Sequence, residues 1–409
     1  MSGDHYDLVI VGGGIGGSAT AAVMAARGLR VLLLEASEVY QDRVRGEWIA
    51  PWGVVETKRL GLYDALMAAG GHHVPRHVTY GEARAPEESE AQVLEMDKFL
   101  PDVPGPLCLG HPLHCQTLFD AARAAGAEAL RGVSVQIIEP GPAPRVVFEH
   151  AGETHTVSCR LIVGADGRAS QVREACAIVL DQDRPHHFFA GMLVDGADGW
   201  NPQVQAVGTE GDFNFLIFPQ GGGRTRVYGS YALEARKRFA GPEGPRAFLD
   251  AFRMACSPHN RHIAEGRPAG PLLSYFNNSS STDRQAVEGA VLVGDAAGWN
   301  DPIIGQGLSI TYRDVRLVTE ILAASDDWSP AAFAPYAEER AERMRRLRFA
   351  AALIAEIDAE FDADAKERRA RYLLSDRSFH IHGAAMMVGP ENIPADAFTE
   401  DHRQRVLSL

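Results

Sequence analysis

The 409-residue sequence predicts an α/β fold: a Rossmann-like unit, an inserted mixed β-sheet and a C-terminal helical segment. Three observations predict it. A strand, a glycine-rich loop, a helix and a second strand follow one another over residues 6–35. Two later apolar runs, at 160–163 and 289–293, each lead straight into a turn bearing Gly and Asp. An aromatic, strand-like stretch (185–275) and an Arg/Glu/Ala-rich stretch of helical spacing (330–374) fill much of the remainder.

Residues 6–11 form a short apolar run suited to a buried parallel strand. Gly12, Gly14 and Gly17 then fit G-x-G-x-x-G, and 18–27 reads as an Ala-rich helix stopped by Gly28. The strand 29–34 ends in Glu35. Each part has a task in holding a dinucleotide. Gly12 permits the tight turn, Gly14 lets backbone approach a pyrophosphate at a helix N-terminus, and Gly17 allows close helix–strand contact. Glu35 is placed to accept hydrogen bonds from a ribose. Residues 8–26 are uncharged and about as long as a membrane span. Their five glycines, and the acidic Asp4 and Asp7 before them, argue against both a signal peptide and a span.

The run at 160–163 continues as Gly164-Ala165-Asp166-Gly167-Arg168. The run at 289–293 continues as Gly294-Asp295-Ala296-Ala297, then Asp301-Pro302-Ile303-Ile304-Gly305-Gln306-Gly307-Leu308, into a helix of about fifteen residues. An N-terminal glycine fingerprint, a mid-chain Asp-Gly and a late Gly-Asp in this order resemble the class A flavoprotein monooxygenases, of the para-hydroxybenzoate hydroxylase type. The resemblance covers most of residues 5–325 and implies a Rossmann-like FAD-binding domain. It implies that Asp295 binds the ribityl chain, that Pro302 lies near the reactive edge of the flavin, and that Gly305, Gly307 and Leu308 aim backbone N–H groups at its pyrimidine end. A helix N-terminus there would stabilise the anionic reduced ring. It further assigns Gly294 and Asp166 to the cofactor site, Asp166 serving NAD(P)H as well, and places flavin contacts at Arg45 and at Gln116, which opens a helix over 118–125. NADPH or NADH would be the reductant, without a Rossmann domain of its own; Gly221-Gly222-Gly223 reads as a hairpin turn.

Residues 1–75, 107–184 and 276–325 are expected to make the discontinuous FAD domain. Residues 76–106 and 185–275 make the sheet over the flavin, and 326–409 the helical tail. Phe213, Phe215 and Phe218 are the candidate substrate contacts. No obligatory catalytic group stands out; Arg45, Pro302, His111 and His114 are candidates, the histidines as pocket bases. The Glu87–Glu90 region reads as an acidic loop, the stretch with the arginines 340–348 as a solvated helix packing on the FAD domain, and the last thirty residues as patternless. The net charge of −14 argues against nucleic acid. Five scattered cysteines without a C-x-x-C fit a reducing cytoplasm and leave no metal site.

The resemblance implies a monooxygenase that takes NAD(P)H and O₂, forms a C4a-hydroperoxyflavin, and hydroxylates or epoxidises an aromatic or polyketide-like small molecule. Three alternatives stay open. A flavin-dependent halogenase shares Gly46-Glu47 and Asp301-Pro302, yet W-x-W-x-I-P is missing (214–219 reads NFLIFP) and no suitable lysine follows Glu47. A geranylgeranyl-reductase-like saturase shares Asp-Pro. A flavoprotein partner without turnover of its own is the third. A homodimer or a separate flavin reductase also remains open.

Overall fold

A computed structural model describes residues 5–409; the first four residues of the opening stretch lie outside it. Two eight-stranded sheets organise the chain. In the first, the order is Ala286–Val287, Ala290–Leu292, Glu153–Gly164, His5–Val11, Val31–Glu35 and Glu128–Arg131. From Ala290–Leu292 to Glu128–Arg131 the pairings are parallel. Arg145–His150 adds antiparallel to Glu153–Gly164, and Ser134–Glu139 adds antiparallel to Arg145–His150.

Burial on both faces explains the unbroken apolar runs. Leu8, Ile10 and Leu33 face a core shared with the helices Ile15–Ala26, His111–Ala124 and Gly307–Ala324. Val9, Val11, Leu32 and Leu34 face the opposite core, with Phe148 and Ile162. The parallel order places the ends of His5–Val11, Glu153–Gly164 and Ala290–Leu292 side by side. The three glycine-bearing turns therefore emerge together, where open α/β sheets bind ligands.

The second sheet runs Arg267–Pro268, His187–Asp195, Arg224–Tyr231, Phe213–Gly221, Val204–Glu210, Arg76–Gly81 and Leu94–Glu95, with Leu273–Asn277 beside His187–Asp195. Val204–Glu210 and Arg76–Gly81 pair in parallel, joining two segments far apart in sequence. Gly221, Gly222 and Gly223 turn the hairpin at φ of +77°, +60° and +76°, a region that side chains disfavour.

Several local expectations are corrected. The helix expected at 118–125 begins at His111, with Pro112 in its first turn, so Gln116 lies within it rather than at its start. The acidic loop is a short helix, Pro86–Ala91. The tail folds as helices Ala334–Asp358, Ala363–Leu374, Ile381–Val388 and Glu400–Leu407, so its last thirty residues are ordered by packing without a clear periodic pattern. Arg340 and Arg343 are not solvated. They are 1% and 3% exposed and reach Asp314 on the helix Gly307–Ala324. All five cysteines are buried free thiols. No described helix is long and apolar enough to cross a membrane.

Candidate functional site

The first strand ends at Val11, and the glycines that follow divide the work by geometry. Gly12 sits at φ +99°, and a Cβ there would lie 2.5 Å from the Ala165 carbonyl oxygen. A Cβ on Gly17 would lie 1.8 Å from the Gly12 oxygen. A Cβ on Gly14 would meet nothing within 4 Å. Two glycines thus close the turn, and the third keeps a space open at the N-terminus of the helix Ile15–Ala26. Glu35 is fixed at the rim: its carboxylate accepts from the backbone N–H of Gly13 (2.7 Å) and of Ser37 (2.8 Å).

That space opens into a cavity of about 1690 Å³. Pockets for one small ligand span roughly 300–1,000 Å³, so a second molecule has room beside a dinucleotide. Of the residues expected from sequence, Gly12, Gly14, Glu35, Arg45, His111, Asp166, Gly294, Asp295, Pro302, Gly305, Gly307, Leu308 and Phe218 line it. Gly17 packs behind the loop.

Four others lie elsewhere. Gln116 donates to Asp120 (2.8 Å) and accepts from Arg131 (2.8 Å). His114 is fully buried and hydrogen-bonds the Tyr312 hydroxyl. Burial pushes its pKa down to about 3. Phe213 and Phe215 point to the far side of their strand, into the core with Phe248 and Phe252. Side chains alternate along a strand, so Asn214, Leu216, Phe218 and Gln220 are the ones that face the cavity.

The cavity carries an uneven electrostatic lining. Burial first, and then the neighbouring Arg168, lower the pKa of Arg45. Arg45 has no hydrogen-bonded partner among the described residues. Arg168 itself bonds Asp295 (3.2 Å). His111 packs beneath Gly46 (φ +78°), where a Cβ would lie 2.8 Å from the ring Nδ1. Burial, then Arg43 and Arg45, push His111 to about 4, so at neutral pH it is an uncharged ring and a weak base. Asp166 accepts from Ser170 (2.5 Å) and from the Val172 N–H (3.1 Å), bracing the following turn, while burial raises its pKa.

Beyond Pro302 the backbone enters the left-handed region at Gly305 (φ +65°). The 18-residue helix Gly307–Ala324 then begins without a side-chain cap. Its first N–H groups and its dipole favour negative charge there. A Cβ on Gly307 would meet nothing within 4 Å. The open cradle at Gly14, the uncapped helix at Gly307 and the unpaired Arg45 fit an anionic dinucleotide carrying a ring that becomes anionic on reduction.

The FAD-binding-domain family model matches residues 5–350. The chain belongs to the FAD-binding-domain family. Its cofactor is FAD. It is 27% identical over 396 residues to the ubiquinone hydroxylase UbiL of Rhodospirillum rubrum, covering 85% of this chain and 81% of that protein. It is 26% identical over 328 residues to squalene monooxygenase of Mus musculus, covering 77% of this chain but only 54% of the mouse protein. The chain thus spans about half the length of that relative. PqsL of Pseudomonas aeruginosa superposes with a TM-score of 0.72 at 20% identity, over 87% of this chain and 97% of that one, a likeness of fold.

Sequence reasoning missed two further groups. Glu47 is buried, accepts from the Tyr228 hydroxyl (2.5 Å) and lies 3.2 Å from Arg226. Burial raises the pKa of Glu47, against the opposing pull of Arg226. Arg340 donates to Asp314 (2.9 Å) and to the carbonyls of Gly294 (3.1 Å), Ala297 (2.8 Å) and Gly298 (2.9 Å), holding the Asp295 turn from behind. The helical spacing of Arg340 and Arg343 was a usable signal for one shared face; nothing in sequence joined that face to Asp314.

Proposed function

We propose that this chain is an FAD-dependent monooxygenase that takes electrons from NADPH or NADH and inserts one atom of O₂ into an aromatic or polyketide-like small molecule, as hydroxylation or epoxidation. The observation that carries this reading is the continuity of the cavity. It runs from Gly14 and Glu35, past Arg45, Pro302 and Gly305, to a sheet wall of Val207, Leu216 and Phe218. A hydroxylase and a monooxygenase among the relatives support the reaction class.

In this reading Gly12, Gly14, Glu35, Asp166, Gly294 and Asp295 would hold the adenosine, pyrophosphate and ribityl portions, and Arg45 would contact the ring. Bound FAD supplies the redox and oxygen-activating chemistry. The chain supplies positive potential from Arg45 and the N–H groups at Gly307 and Leu308, which favour the anionic reduced ring. The apolar wall excludes water, and the sheet fixes the distance between substrate and cofactor. His111, uncharged at neutral pH, is an acceptor beside Arg45 rather than a base.

The test adds NADH or NADPH to the yellow protein in air, with candidate phenols, indoles and polyketides. Expected are substrate-stimulated flavin bleaching, O₂ uptake and a product 16 mass units heavier. Absence of bleaching with both donors would overturn self-sufficient turnover and favour a separate reductase or a non-catalytic partner. Gly14→Val and Asp295→Ala are expected to purify largely without FAD. Full flavin in both would refute the residue assignment.

A further inference from the structure

A chain of polar side chains crosses the sheet wall of the cavity. The Trp48 indole N–H donates to Gln205 Oε1 (2.7 Å), Gln205 Nε2 lies 3.0 Å from His77 Nδ1, and His77 Nε2 lies 3.0 Å from Thr79 Oγ1. All four residues line the cavity. Trp48, His77 and Gln205 are buried, and Thr79 is exposed to the cavity.

Donor and acceptor chemistry gives this chain one direction. An indole N–H can only donate, so the Gln205 oxygen must face Trp48. The Gln205 amide nitrogen, which can only donate, then faces His77 Nδ1. That nitrogen must be unprotonated, so the ring proton sits on Nε2 and is given to Thr79 Oγ1. Burial agrees, holding His77 near a pKa of about 4 and therefore neutral. Thr79 Oγ1 spends a lone pair on this bond, and its own hydrogen has no acceptor among the described residues. The other end of the chain is anchored at the Gly305 turn: the Trp48 ring lies 3.1 Å from where a Gly305 Cβ would be.

We propose that Thr79 is a specificity-determining residue that donates a hydrogen bond to a carbonyl-type oxygen of the substrate, and that Trp48, Gln205 and His77 position it for that role. The inference rests on the reading of this cavity as the oxidation site and narrows its substrate class. The molecule seated there carries an acceptor oxygen close to the carbon being oxidised, and a plain hydrocarbon of the same shape binds less well.

The experiment titrates oxidised holoenzyme with benzophenone and with diphenylmethane, which differ by a carbonyl against a methylene, and follows the flavin absorbance. Wild type is expected to bind benzophenone about 3- to 10-fold more tightly, the worth of one neutral hydrogen bond. Thr79→Val should abolish that preference while retaining full flavin, and Thr79→Ser should restore it. Gln205→Met, which removes the group that sets the His77 tautomer, should reduce it with Thr79 intact. Equal affinity of wild type for both probes, or an unchanged preference in Thr79→Val, would overturn the proposal. NAD(P)H oxidation measured on the same preparations separates the two readings. Turnover with no Thr79-dependent preference refutes only this inference. A Thr79-dependent preference without turnover leaves this inference standing and overturns self-sufficient turnover.

Discussion

Replacing Arg340 by Met removes a cation that ties the helix Ala334–Asp358 to the Asp295 turn. Arg340 is 1% exposed and makes four hydrogen bonds, one to the Asp314 carboxylate and three to carbonyls at Gly294, Ala297 and Gly298. Asp314 is also fully buried; it keeps Arg343 (2.7 Å) and the Gly294 N–H (2.9 Å) as partners. Breaking a buried pair from one side costs about 3–5 kcal/mol because the remaining charge stays desolvated. The residual partners of Asp314 place it at the lower end of that range. The three stranded carbonyls add back about 1 kcal/mol or more each where water cannot reach them. A loss of about 3 kcal/mol where water reaches all three carbonyls, rising to about 6 kcal/mol where it reaches none, is therefore expected, a large share of the roughly 5–15 kcal/mol typical of a folded domain. Urea unfolding with and without excess FAD measures it. The FAD dissociation constant should rise as well, since Asp295 sits in the loosened turn. Arg345→Met is the control: from the same helix, its 50% exposed side chain pairs with Glu342 at the surface, a contact worth at most about 1 kcal/mol. If Arg340→Met unfolded within 1 kcal/mol of wild type and kept its FAD affinity, the clamp would have no energetic reality.

Asp301 gives a pH signature. Burial pushes its carboxyl up to about 7 from 3.8, although it caps the Ile303 N–H at 2.9 Å. A raised acid costs the folded state nothing while both states are protonated, below about 4, and the penalty grows as pH rises to about 7. Asp301→Asn keeps the cap and removes the charge. Its stability advantage over wild type should therefore widen by about 2–3 kcal/mol between pH 5 and pH 8, and a pH-independent gap in urea unfolding would contradict this. The two faces of one strand should separate in their effects. Phe213→Ala is expected to cost about 3–5 kcal/mol of stability, read by urea unfolding, with substrate affinity unchanged. Phe218→Ala is expected to raise the KM for substrate at a smaller cost in stability. Equal KM effects from both would show that the alternation does not govern substrate contact.

How far the sequence could be read depended on whether a residue's task is local. Gly12, Gly14 and Gly17 answer to constraints within about thirty residues, and their geometry is what the spacing requires: two Cβ positions blocked by backbone and one left open. The helix starting at His111 was also legible, through Gly110 and Pro112, but the polar pair at Gln116 was the more conspicuous signal and misplaced the boundary. The face of the strand Phe213–Gly221 was not legible. Leu216 and Phe218 are as apolar as Phe213 and Phe215, because one side packs a core and the other lines a cavity, and binary patterning cannot separate two apolar environments. Arg340 was hidden by a similar degeneracy. An arginine every three residues marks a helix face, while Asp314, which decides that the face is buried, lies 26 residues earlier in another helix. The chain from Trp48 to Thr79 shows the limit most sharply. Gln205 is separated from Trp48 by 157 residues and from His77 by 128; the parallel pairing of Val204–Glu210 with Arg76–Gly81 sets Gln205 beside His77, and Trp48 arrives on a strand of a different sheet. The nucleotide loop had to be encoded locally, because backbone itself performs its task. Substrate selection is assembled from side chains on separate strands, so the residues that set it become visible only once the second sheet is closed over the first.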